Sequence, residues 1–154
     1  MKTQFISLFL CLIFVLSACQ PGSTPSSPVT GPVNTEITLA PGQSVAVTGA
    51  DLTVTFHSVV SDERCPSDVE CAASGPVAIL LSVQQGDGTP TDFTLQTFTD
   101  NDGRSPNVQF EGVTNRTEIG DYIIQILSVT PYPKDLTTKI AASAYRVGLL
   151  ISNR

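Results

Sequence analysis

The side chains able to do chemistry are few in this chain of 154 residues: four cysteines (Cys11, Cys19, Cys65, Cys71), one histidine (His57) and fourteen carboxylates. A thiol becomes a nucleophile or a metal ligand as its thiolate, or it pairs as a disulfide, and four cysteines allow three pairings. Cys65 and Cys71 with a single histidine do not supply the four ligands of a structural zinc site. A Ser-His-Asp site would need His57, and Ser58 and Asp62 lie near it in sequence. Neighbouring strand residues face opposite sides, so Ser58 is poorly placed to meet the ring. The chain has no G-x-S-x-G elbow, and His57 reads as a solvent-facing strand residue. The segment Asp100-Asn101-Asp102-Gly103 suggests a calcium loop, but position 98 is Phe98 where the EF-hand needs an acid, so a plain turn is expected. The acids Asp62, Glu63, Asp68 and Glu70 read as a solvated loop. A hydrolytic carboxylate pair is a spatial arrangement that spacing does not reveal. No catalytic residue, metal ligand or cofactor is therefore assigned.

The amino terminus is more specific. Met1-Lys2 is followed by an apolar run from Phe5 to Leu16, interrupted only by Ser7 and ended by small residues. This is the layout of a secretory signal, and the run is too short to cross a bilayer. It ends Leu16-Ser17-Ala18-Cys19, which resembles the lipobox of bacterial lipoproteins at all four positions. That resemblance implies a diacylglyceryl thioether on Cys19 and cleavage just before it, leaving residues 1–18 as a discarded signal peptide. Two or three acyl chains on one cysteine make a stable tether, because each buried methylene contributes about 0.8 kcal/mol. With Cys11 removed and Cys19 lipidated, Cys65 and Cys71 remain to pair in an oxidising compartment. The expected location is the extracytoplasmic face of the cell envelope, on the outer membrane if the organism has one.

Loss of Lys2 leaves seven basic against fourteen acidic residues. Such an excess of acid argues against a nucleic-acid partner and against adhesion to anionic lipid by charge alone. Residues 19–34 carry the lipidated cysteine and a spacer, QPGSTPSSPVTGPVN, with four prolines and no charge. In polyproline form, at about 3.1 Å per residue, it reaches roughly 40 Å from the membrane.

From residue 35 onward the hydrophobic period is two. Leu52, Val54 and Phe56 alternate with Thr53, Thr55 and His57, and Val59-Val60 breaks the pattern as a bulge would. Val77 to Val83 is almost continuously apolar, which predicts an interior strand. Further strands are expected around Ile37, Val45, Phe93, Val108, Tyr122 and Val147, separated by Gly and Pro turns, with at most one helical turn between Leu136 and Ala144. About eight strands without a convincing helix predict an all-β domain over 35–154, a single antiparallel β-sandwich or small barrel.

One stretch stands apart, Arg64-Cys65-Pro66-Ser67-Asp68-Val69-Glu70-Cys71. It resembles an R-C-P-x-D-V-x-C loop of uncharacterised small exported all-β bacterial proteins, in which an aromatic follows where Ala73 stands here. The resemblance implies no activity. Arg64, Asp68 and Glu70 are the candidate binding residues of this loop. The expected function is a non-catalytic β-sandwich displayed on the envelope as a binding or structural module, with an envelope protein or glycan as its partner. The alternatives are an inhibitor of an exported protease acting through the stapled loop, and a carboxylate-based hydrolase.

Overall fold

The computed structural model describes residues 28–154, so the signal stretch, Cys19 and most of the spacer lie outside the described residues. Among the described residues nine strands form, in chain order: β1 (Val29–Pro32), β2 (Glu36–Leu39), β3 (Gln43–Thr48), β4 (Leu52–Asp62), β5 (Val77–Gln85), β6 (Thr91–Thr97), β7 (Arg116–Ile119), β8 (Tyr122–Thr130) and β9 (Arg146–Asn153). They build two sheets, one ordered β1-β3-β4-β5-β6 and the other β2-β9-β8-β7. Both sheets keep free edges, so the all-β domain is a sandwich and not a closed barrel. Among the described residues, the one helical turn lies at Ala142–Ala144, just before β9.

Alternation supplies the core. Val54, Phe56, Ile79, Leu81 and Leu95 project from the first sheet, and Leu39, Ile124, Ile126, Leu149 and Ile151 from the second, all buried in one cluster. Outward positions of β4 stay polar until the register slips between Phe56 and Ser58 and again between Val59 and Ser61. These two bulges leave Val60 facing solvent and bring Asp62 opposite Val77. The continuous apolar stretch of β5 has two different faces. Val77, Ile79, Leu81 and Val83 enter the core, while on the outer face Ser82 lies beneath His57 and Asp92 of the flanking strands.

Three expectations about the elements are corrected. The spacer ends sooner than residue 34, because Val29–Pro32 is a strand. Pro32 is tolerated there because β1 is an edge strand, and buried Gly31 lets β1 press on Ile37 and Val45. The sandwich is also not wholly antiparallel: β1 runs parallel to β3. The chain leaves β1 through a turn at Asn34 (φ 62°), crosses to the second sheet as β2, and returns beside its own start. Lastly, the strand expected near Val108 is only a bridge between Phe110 and Val113, while the half-exposed edge β7 lacked a pattern to announce it.

Candidate functional site

The ends of β4 and β8 and the starts of β5 and β9 meet at one end of the sandwich. Two long connections leave from there, residues 63–76 and residues 131–145. Cys65 and Cys71 are joined by a disulfide in the first. Backbone bonds lace the two together: Ser67 N–H donates to Pro133 C=O at 3.0 Å, and Asp68 N–H to Lys134 C=O at 2.9 Å.

Arg64 is the hub of this end. Its side chain is fully buried, and each of its five N–H donors has a partner. Nε donates to Asp62 Oδ1 (2.7 Å) and Nη2 to Asp62 Oδ2 (2.6 Å), a two-pronged ion pair. The remaining Nη2 proton goes to Pro131 C=O (3.0 Å), and Nη1 reaches Val129 C=O (2.7 Å) and Thr99 Oγ1 (3.5 Å). The guanidinium also lies 5.0 Å from the Tyr132 ring centre, and the Tyr132 hydroxyl donates to Cys65 C=O at 2.8 Å. Arg64 thus ties the end of β4 in one sheet to the end of β8 in the other. This corrects its assignment as a binding residue: no donor is left for a ligand. Asp68 and Glu70 remain exposed on the stapled loop.

Burial alone would raise the Asp62 carboxyl, but the hydrogen bonds and charge of Arg64, with the Tyr145 hydroxyl at 3.0 Å, hold it below the ordinary carboxylate range. Tyr145 is pushed up to about 12 by burial and by the Asp62 charge. A raised phenol contributes stability in full below its unfolded value near 10, and that stability is lost as pH rises through the folded value. Urea melts at rising pH should show this decline between about pH 10 and 12, and Tyr145→Phe should flatten it.

Between the two connections lies a cleft of about 490 Å³. Pro66, Cys71 and Ala73 form one wall, and Pro133, Leu136 and Ile140 the other, with Glu63, Asp135 and Lys139 supplying charge. Ala73 is small and exposed, so the mouth is open on its side. Three carboxylates border the cleft, yet two are held ionised. Asp62 is paired with Arg64, and Asp135 is pulled well below the usual range by the Thr137 hydroxyl and by the backbone N–H groups of Thr138 and Thr137. Glycoside hydrolysis needs one carboxylic acid that keeps its proton near neutral pH. Neither of these two can serve. Among the described residues, no three His, Cys, Asp or Glu side chains gather as a metal site. The Asp100 turn uses Asp100 Oδ1 to accept the N–H groups of Asp102 and Arg104. Gly103 closes it at φ 78°, where a side-chain carbon would stand 2.5 Å from Val129 C=O.

His57 does face outward, and it meets neither Ser58 nor Asp62. Its Nε2 lies 2.6 Å from Ser82 Oγ, and Ser82 donates its hydroxyl proton to Asp92 Oδ1. A hydroxyl has one proton, so the contact with His57 requires Nε2 to be the donor. The serine stands in the middle and the imidazole does not act as its base, which is not the order of an acyl-transfer triad. The three groups form a strap across β4, β5 and β6. Ser82→Ala should cost about 1 kcal/mol in chemical denaturation, because His57 and Asp92 are exposed enough to find water instead.

The sequence had pointed to the stapled loop but not to residues 131–145 as its opposing wall, nor to Tyr145 as a partner of Asp62. Comparison with known proteins adds no relative from which a role could be carried over: no family model, no curated protein and no solved structure matches the chain.

Proposed function

We propose that this chain is a lipid-anchored protein of the bacterial cell envelope, displaying a non-catalytic β-sandwich whose cleft beside the Cys65–Cys71 loop is a recognition site. One observation carries the reading. A cleft of about 490 Å³ is walled by the stapled loop, and the Arg64 hub fixes that wall before any ligand arrives. Pre-organisation lowers the ordering cost of binding. The lipobox at Leu16-Ser17-Ala18-Cys19 supports the anchor, with a tether in the extracytoplasmic leaflet and an envelope protein or glycan as the partner.

The protease-inhibitor alternative has less support. Inhibitory loops present free backbone to an enzyme as an added strand, whereas Ser67 and Asp68 already donate their N–H groups to the neighbouring connection.

Two measurements test the proposal. Mass spectrometry of the processed first residue should find acyl chains on Cys19. A photo-crosslinking residue at Ala73, in cells, should capture a defined envelope component that the same group at Asp87, in the turn after β5, does not. Ala73→Trp, which fills the cleft mouth, should abolish binding of the purified component without lowering stability. Equal capture at both positions would remove the cleft from the account.

A further inference from the structure

We propose that the connection from Lys134 to Ile140, with Leu136 at its tip, rests on the surface of the same bilayer that holds the anchor, so that the cleft opens toward the membrane. This rests on the lipid anchor of the preceding reading and adds an orientation and a lipid contact.

The first observation is strand direction. β4 runs toward the cleft end, β3 is antiparallel to β4, and β1 is parallel to β3. The chain upstream of Val29 therefore arrives from the cleft end. Val29 stands opposite Val45, and Val45 opposite Val54. On β5, the partners of Val54 and Asp62 are Val83 and Val77, six residues apart. That is about 20 Å along the sheet. The nine residues Gln20 to Pro28 include Pro21, Pro25 and Pro28. Nine residues of any chain span at most about 30 Å. That exceeds the roughly 20 Å to the cleft end, so the sequence between Cys19 and β1 is long enough for an anchor on that side.

The second observation is the loop itself. Leu136 is 76% exposed, the most exposed large hydrophobic among the described residues. Lys134 and Lys139 flank it, and they are the only lysines downstream of Lys2. An apolar tip between two cations suits the boundary between headgroups and acyl chains, where leucine enters and ammonium groups meet lipid phosphates. Asp135 stays ionised, its carboxylate accepting from Thr137 and Thr138, so it offsets one lysine and leaves Lys134 to Ile140 with a single net positive charge. Glu63, Asp68 and Glu70 belong to the opposite connection, so the Leu136 side is the one that touches down. At the other end of the sandwich the turns carry Asp51, Asp87 and Asp121 and no lysine. The net negative charge opposes adsorption from solution. The contact forms because the tether keeps the loop at high effective concentration beside the bilayer.

The test uses the full lipidated protein in vesicles of phosphatidylethanolamine and phosphatidylglycerol. Spin labels are placed by Leu136→Cys and, at the far end, by Asp87→Cys. The label at 136 should collide severalfold more with oxygen, and less with a water-soluble nickel quencher, than the label at 87. Lys134→Gln with Lys139→Gln should lower the docked population roughly tenfold. A protein that floats with the vesicles while both labels are equally wet overturns the orientation and leaves the anchor standing. A protein that does not float removes the anchor, and the orientation with it.

Discussion

Replacing Arg64 by alanine is expected to cost about 3–5 kcal/mol, a large part of the stability of a domain this size. The cost arises less from lost attraction than from what stays behind. Asp62 would remain at the end of β4 without its ion-pair partner, and the Val129 and Pro131 carbonyls would lose their donor. Arg64→Lys should recover little, because an ammonium cannot span both Asp62 oxygens and two carbonyls with a planar fork. Arg64→Leu combined with Asp62→Leu should fare better than Arg64→Ala alone, since no unpaired charge is then buried. Urea midpoints of the four proteins check the ranking.

The same series carries a pH signature. The folded Asp62 carboxyl lies below its ordinary value, so its stabilising contribution is complete above about pH 4 and is lost as pH falls through the lowered value. In Arg64→Ala, burial, the largest influence on Asp62, is opposed by the Tyr145 hydroxyl but no longer by Arg64, and it raises the carboxyl. That variant should gain stability relative to the parent as the solution is acidified, reversing the slope at this position. A parallel acid dependence in both proteins would show that the pair is not coupled.

Removing the Cys65–Cys71 bridge, by Cys65→Ala with Cys71→Ala, should cost about 2 kcal/mol from chain entropy for so short a loop. The melting temperature should fall by roughly 5–10 °C. The fold should survive, because Tyr132 still holds Cys65 C=O and Ser67 and Asp68 still donate to Pro133 and Lys134. The change should appear as faster amide exchange at Ser67 and Asp68, and as weaker binding in the cleft. Loss of the entire fold would mean that the bridge, and not Arg64, organises this end.

Much of the architecture could be read because alternation is a local signal. Leu52, Val54 and Phe56 declare an inward face by themselves, and Val59-Val60 marks where that face slips. β1 was hidden because its prolines and small residues match a spacer, and only the packing of Gly31 on Ile37 and Val45 makes it a strand. The Arg64 hub was hidden for a different reason: its carbonyl partners lie 65 and 67 residues away. No spacing rule joins Asp62, Arg64, Val129 and Tyr145. His57 illustrates the same limit, since its partner Ser82 comes from the next strand and not from its sequence neighbours. The stapled loop was legible as a feature, but its opposing wall at 133–140 exists only once the two sheets are stacked.

The parallel pairing of β1 with β3 has a mechanical consequence. Inter-strand hydrogen bonds lie across the strand direction, and the chain enters β1 along its axis, with rungs from Val29–Val45 to Pro32–Thr48. A pull on the amino terminus along that axis loads those rungs together in shear. Force applied at Val29 along the strand is thus shared among the rungs of the ladder.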